Sequence, residues 1–144
     1  MWHEAVFLAA TDTTIGFLSQ STTKLDSIKK RPSHKKYIRA VDSLATLRTL
    51  TRVPKAHKRR VRRAKRTTFI LPTGESFRVV DDATHLLLLR RLRWAYTTSA
   101  NESGKDYDEA FAKDAADIIV APLQAKHAPS TIYRLGKERI RKVR

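Results

Sequence analysis

Apolar positions in this chain fall into short runs separated by polar breaks, and the period of each run predicts an element. Ala5 to Ala9 is a continuous apolar run that reads as a buried first strand, with Thr11 to Gly16 as the loop after it. Phe17 to Gln20 leads into Ser21-Thr22-Thr23, whose hydroxyls suit a helix start, and Leu25 and Ile28 then share one helical face. Pro32 is expected to end that helix, leaving Lys29 and Arg31 near its C-terminus, where cations suit the dipole. Tyr37 to Val41 is a second strand, and Asp42 or Ser43 caps a helix carrying Leu44, Leu47 and Leu50. Thr67 to Leu71 and Ser76 to Val80 flank Pro72-Thr73-Gly74-Glu75, the signature of a hairpin. Asp82 or Thr84 opens a Leu-rich helix to Arg93, and a strand follows from Trp94 to Thr98. Asp108 to Ala116 is helical with Ala110, Phe111 and Ala115 inward. Ile118 to Ala121 and Pro129 to Tyr133 are further buried strands, after which Gly136 turns the chain into a basic tail. Strands and helices mix without a regular βαβ rhythm. The expectation is an α/β (α+β) fold, one domain over residues 1–144, built on a twisted mixed sheet with flanking helices.

The segment from Lys55 to Arg66 breaks this pattern. It carries eight Lys or Arg and only Ala56, Val61 and Ala64 as apolar residues, so it is not a core helix. With Pro54 at the first helical position, a helix places Lys58, Arg62 and Arg66 on one stripe and Lys55, Arg59 and Arg63 on the next. Such stripes repel each other. The block is either a solvated face or a polyanion contact, with Lys58, Arg59, Arg62, Arg63, Lys65 and Arg66 touching RNA phosphates. No aromatic residue is interleaved in it, so phosphate contact is the expected mode there, not base stacking.

Charge over the whole chain agrees: 30 Lys and Arg against 14 Asp and Glu give a net charge of +16 in 144 residues. A chain this basic attracts polyanions. Cysteine is absent, which excludes disulfides, thiolate metal sites and Cys nucleophiles. No apolar run approaches the length of a membrane span, and Met1-Trp2-His3-Glu4 does not resemble a signal peptide, so a soluble, cytoplasmic protein is expected.

Candidate chemistry sits in the polar loops. Thr97-Thr98-Ser99-Ala100-Asn101-Glu102-Ser103-Gly104 ends a strand in small polar residues, a place where open sheets accept anionic or nucleotide ligands. Ala10-Thr11-Asp12-Thr13-Thr14-Ile15-Gly16 is a second such loop and Lys29-Lys30-Arg31-Pro32 a third polar element. His3, His34, His57, His85 and His127 are scattered without metal-ligand spacing, so no built-in metal site is expected. Neither a P-loop nor a Gly-x-Ser-x-Gly elbow occurs. Asp81-Asp82 reads as a helix cap.

Five of these segments, in order, resemble one family. Thr11-Asp12-Thr13 with Gly16 resembles Pro-Thr-Glu-Thr-Val-Tyr-Gly-Leu, and Lys29-Lys30-Arg31-Pro32 with Lys35 is similar to Lys-x-Arg-Pro-x-x-(Lys/Asn). Arg78 resembles the arginine of Val-Arg-x-Pro, and Ser99-Ala100-Asn101-Glu102-Ser103-Gly104 matches Ser-Ala-Asn-x-Ser-Gly. Pro129-Ser130-Thr131-Ile132, followed by Arg139-Ile140-Arg141, looks like Pro-Ser-Thr-Ile and a closing Leu-Arg. The family is the YrdC-like threonylcarbamoyl-AMP synthases. The resemblance implies helices enclosing a basic cavity, and a reaction of ATP, L-threonine and bicarbonate that supplies a tRNA adenosine modification. It assigns Lys29, Arg31, Lys35, Ser99, Asn101 and Arg141 to ATP, which arrives with magnesium, and Thr13, Arg78 and Ser130 to threonine. It assigns no catalytic side chain. It also implies downstream tRNA-modifying partner proteins, whereas the expected RNA contact comes from the basic block, which the resemblance does not explain. The sequence departs from the pattern at Ala10 (for Pro) and Ile15 (for Tyr), and only Thr68 remains of Pro-Gly-Pro-Leu-Thr. Those departures and the basic block support a second expectation, a catalytically degenerate RNA- or nucleotide-binding protein on the same fold.

Overall fold

The computed structural model describes residues 2–30, 36–124 and 128–144. Nine strands join one mixed sheet among these residues. They are β1 (Phe7–Ala10), β2 (Ile15–Ser19), β3 (Ile38–Val41), β4 (Thr67–Ile70), β5 (Ser76–Val79), β6 (Trp94–Ser99), β7 (Ile118–Val120), β8 (Thr131–Leu135) and β9 (Ile140–Lys142). Their spatial order is β7-β1-β2-β6-β3-β5-β4-β8-β9. The five α-helices are α1 (Thr22–Lys29), α2 (Leu44–Leu50), α3 (Lys58–Arg63), α4 (Ala83–Leu92) and α5 (Glu109–Ala115). No helix among the described residues is long and apolar enough to cross a membrane.

Local chemistry accounts for most boundaries. Ser21, Ser43, Asp82 and Asp108 each accept a backbone N–H of the first turn, capping α1, α2, α4 and α5. The α1 helix ends at Lys29, before Pro32: Lys30 adopts a left-handed φ of 51° and donates its N–H to the carbonyl of Asp26. Pro32 itself lies outside the described residues. Phe17 to Ser19, expected to lead to a helix, belongs to β2, because its residues are buried on both faces and pair with β1 and β6. Pro54 opens a single 3-10 turn (Lys55–His57), and α3 stops at Arg63. Arg66 therefore leaves the helical stripe; it sits at φ 51° and its carbonyl accepts the N–H of Thr131 at the head of β8. β7 is an edge strand with Ile118 and Ile119 exposed, not a buried one, because its outer side has no partner strand among the described residues. The expected basic tail is β9, antiparallel to β8.

Strand alternation divides the sheet into two faces. On one, Phe7, Ala9, Leu18, Ala40, Val80 and Ala95 meet Leu88, Leu89 and Leu92 of α4. On the other, Leu8 and Phe17 pack against α1 and α5, while Val41, Phe69, Phe77 and Leu135 pack against α2 and α3. Val61 is the residue that seats α3, buried at 2 % exposure amid its arginines. The helix α4 covers only part of its face. Ile38, Thr68, Arg78, Thr97 and Ser99 lie beyond its start, and there the sheet is hollow.

Candidate functional site

A cleft of about 310 Å³ occupies that hollow, lined by Thr11, Thr13, Arg78, Thr97, Ser99, Ser130 and neighbours. Strand order explains how distant segments meet. Gly16 pairs with Ser99 and Ala40 with Arg78, so the loop before β2, the end of β6 and the middle of β5 converge. Gly16 also permits close approach: a Cβ there would stand 3.1 Å from the carbonyl oxygen of Thr98 and 3.3 Å from Cγ2 of Thr11.

The floor holds a buried charge cluster. Arg78 Nε lies 3.2 Å from Asp12 Oδ1, and His85 Nδ1 lies 3.6 Å from the same oxygen. The backbone N–H of Asp12 donates to His85 Nδ1 at 3.4 Å, so this nitrogen is the acceptor of a neutral ring whose proton is on Nε2. Burial pushes His85 below its ordinary value, against the pull of Asp12, and that keeps the ring neutral. Burial pushes the Asp12 carboxyl up, but the Arg78 charge beside it outweighs that and holds it below its ordinary range. The pairing is electrostatic and incomplete, since among the described residues Asp12 Oδ1, Arg78 Nε and His85 Nε2 are buried without a hydrogen-bond partner. Arg78, held in place by Asp12, is thus a fixed cation lining the cleft, suited to pair with a carboxylate or phosphate.

The opposite wall is hydroxylic. Ser130 Oγ and Thr68 Oγ1 are 2.8 Å apart, and Arg144 donates from Nε and Nη2 to the carbonyl of Ser130 at 3.0 and 2.8 Å. Thr13 Oγ1 stands 3.2 Å from Thr11 Oγ1, which donates to the carbonyl of Thr14 at 2.6 Å. Thr13, Arg78, Ser99 and Ser130, named from four separate segments, therefore meet in one cleft.

Other predicted site residues fall elsewhere. Lys29 is buried behind the loop, its Nζ donating to the carbonyls of Ser99 at 2.9 Å and Asn101 at 2.6 Å. It organises the loop and does not line the cleft, because those carbonyls already hold its ammonium. Asn101 likewise shapes the loop: its amide donates to the carbonyls of Glu102 and Lys105, and its Oδ1 accepts from Ser99 Oγ. Arg141 does not reach the cleft either. It pairs with Arg134 on exposed β9, four residues along β8 from Ser130, or about 13 Å away. The antiparallel return brings Arg144, and not Arg141, level with Ser130. Arg31 and Lys35 lie outside the described residues. Sequence reading missed His85, Lys36 and Arg144 as site residues, and included Asp12 and Thr97 in candidate loops without giving them a role. Asp12 was visible only as the acid between two threonines, and His85 carried no signal at all.

The block around α3 lies on the other face of the sheet. Arg59, Arg60, Arg62, Arg63 and Lys65 are exposed and Lys58 is half-buried. Among the described residues, no carboxylate forms an ion pair with any of these six. No group of three His, Asp or Glu that could hold a metal ion occurs among the described residues.

Residues 4–144 match the family model Sua5_yciO_yrdC, described as telomere recombination. No curated protein sequence matches the chain. Among solved structures, the chain is similar to P. abyssi Sua5 complexed with L-threonine, with a TM-score of 0.83 and 19% identity over 97% of this chain and 50% of that one. It is also similar to E. coli YciO (TM-score 0.75, 19% identity, 98% of this chain and 82% of that one). MTH1692 from Methanobacterium thermoautotrophicum gives a TM-score of 0.68 at 22% identity, over 97% and 79%. The chain thus spans about half the length of the Sua5 chain it matches. At these identities the likeness establishes a shared fold.

Proposed function

The chain belongs to the Sua5/YciO/YrdC family, which includes threonylcarbamoyl-AMP synthases, and from that premise we propose that it makes L-threonylcarbamoyl-AMP for tRNA modification. One observation carries this reading: Thr13, Arg78, Ser99 and Ser130 share a single cleft although they come from four distant segments. A protein that only bound RNA would not need an amino-acid pocket so assembled. The P. abyssi Sua5 structure, solved with L-threonine, lends support to threonine as the occupant.

Arg78 takes the threonine carboxylate in a charge-assisted pair, and Thr13 and Ser130 hold its polar groups. The amine of threonine and bicarbonate give N-carboxythreonine with loss of water. A carbamate oxygen then attacks the α-phosphorus of ATP, the bond to the β-phosphate oxygen breaks, and pyrophosphate leaves. Such transfer depends on position and charge, with little side-chain acid–base work. Ser99 faces the phosphates, Arg144 and Lys36 supply cleft cations, and the family motif adds Arg31 and Lys35. Lys29 and Asn101 act through the loop they shape. Magnesium enters with ATP as part of the substrate. Downstream proteins that modify tRNA receive the product, and the cations on α3 touch RNA phosphates.

Pyrophosphate release with ATP, bicarbonate and each amino acid in turn tests the proposal. Release with threonine is expected. Its absence with every amino acid favours the degenerate binding protein, the reading that the unpaired cations of α3 support.

A further inference from the structure

Three turns meet at one end of the sheet. β4 runs parallel to β8 with Ile70 beside Arg134, so the turn from β4 to β5 and the turn from β8 to β9 lie next to each other. The third is the 3-10 turn after Pro54. Each is closed by a backbone bond: the N–H of Gly74 donates to the Leu71 carbonyl at 2.8 Å, that of Gly136 to Arg139 at 2.9 Å and that of His57 to Pro54 at 2.9 Å. Val53 and His57 are buried and anchor the third turn at both ends, which turns Lys55 and Ala56 outward. Between the turns lies a groove of about 940 Å³, lined by Pro54, Ala56 and Pro72 and by Arg52, Lys55 and Lys137. None of its lining residues belongs to the cleft or to α3.

The lining combines two chemistries. Pro54, Ala56 and Pro72 leave aliphatic surface in water, and an apolar hollow of this kind marks a place where another molecule sits. Among the described residues, none of Arg52, Lys55 and Lys137 forms an ion pair. Arg52 and Lys55 also border a depression that holds Arg48 and Lys58. An occupant that satisfies both chemistries is apolar in its middle and anionic on its flanks. Nucleic acid meets only the second condition, because its bases need open rings and no aromatic residue lines the groove. On the adjoining strands the rings of Phe77, Trp94 and Tyr96 are already covered by the Arg39 guanidinium, 5.6, 4.4 and 4.8 Å from their centroids. An aromatic side chain on the prolines, with carboxylates beside it, meets both conditions. From this juxtaposition we propose that the groove docks an extended acidic segment of a partner protein, an aromatic side chain seated on Pro54, Ala56 and Pro72 and carboxylates paired with Arg52, Lys55 and Lys137. Glu138 is the one carboxylate in the lining, and it marks where the acidic run of the partner is interrupted. Thr73 lines this groove and also the one over β3, β5 and β6, which Lys36 and Tyr37 join to the cleft. A protein held here stands one groove away from whatever the cleft releases. The inference is independent of adenylate formation.

Fluorescence anisotropy with the labelled peptide Asp-Glu-Asp-Phe-Asp-Glu, at about 0.15 M salt to screen remote charges, tests it. The peptide with Ser in place of Phe, unchanged in charge, binds about tenfold more weakly, as loss of a buried aromatic anchor requires. Arg52→Gln with Lys137→Gln weakens binding about fivefold, and Ala56→Glu, which sets a carboxylate beside the prolines, about tenfold. Glu138→Gln tightens it about twofold. All these positions are exposed, and circular dichroism checks that each variant is folded. Arg59, Arg62 and Arg63 changed together to Gln leave the peptide's affinity within about twofold of wild type. No peptide binding by wild type, equal affinity for the Phe and Ser peptides, wild-type affinity in the groove variants, or a loss confined to the α3 variant would each overturn the proposal. So would groove variants that keep the peptide and lose oligouridylate RNA, since the groove would then be a nucleic-acid site.

Discussion

The two faces of the sheet treat charge in opposite ways. Around the cleft, Asp12, Arg78 and His85 are all at most 5 % exposed, and each has its charged or polar partner inside the protein. On α3, Arg59, Arg60, Arg62 and Arg63 stand in water with no carboxylate partner among the described residues. Buried charges are fixed in place by the cost of removing their partners. Exposed like charges carry no such constraint; they repel, and a polyanion relieves that repulsion. The first arrangement suits a small ligand of defined geometry, and the second a polymer recognised by charge density.

This contrast sets the order of the expected effects. Asp12→Ala leaves the Arg78 guanidinium buried and uncompensated, so urea unfolding should show a loss of about 3–5 kcal/mol. A loss below about 1 kcal/mol would mean that the cluster is more hydrated than its burial indicates.

Acid should act on the same cluster and spare α3. The folded chain keeps His85 neutral, so below the ring's ordinary value of 6.5 the unfolded chain binds the extra proton and stability falls. Asp12, held below 3.8, adds a second loss as pH drops through its ordinary value toward its folded one. His85→Asn, whose amide oxygen can replace Nδ1 as acceptor, should flatten the limb below 6.5. An unchanged limb in that variant would place the titration elsewhere.

Smaller effects follow. Thr68→Val removes the nearer of two partners of Ser130 Oγ, leaving only Arg144 Nη2 at 3.4 Å among the described residues, and should cost about 1 kcal/mol in denaturant melts while weakening threonine binding. The triple change of Arg59, Arg62 and Arg63 to Gln should leave stability within about 0.5 kcal/mol of wild type, since these side chains are exposed. A large loss there would show that α3 is held by its arginines and not by Val61.

Much of this was legible in the chain. Caps, the hairpin turn at Gly74 and the apolar runs placed α1, α2, α4, α5 and most strands, because each signal is local, whereas α3 proved shorter than the helix expected from Pro54 to Arg66. β2 was missed since Ile15 to Ser19 reads as the flank of a polar loop until β1 and β6 are laid beside it. Thr13, Arg78, Ser99 and Ser130 could be named from motifs, but their meeting depends on a strand order that no local pattern encodes. Lys29 looked like a phosphate ligand because its loop acceptors lie 70 residues and more away along the chain. Arg39 gave no sign at all, for its three rings come from β5 and β6.

The central claim is that the buried face holds an amino acid through Arg78 while the exposed face plays no part. Calorimetric titration of L-threonine into wild type, Arg78→Gln and the α3 triple variant, each checked for fold by circular dichroism, tests it most directly. Wild type and the triple variant should bind threonine alike. Arg78→Gln should bind at least about tenfold more weakly, as loss of a charge-assisted contact requires. Equal binding by Arg78→Gln, or no threonine binding by the wild-type protein, would contradict the account.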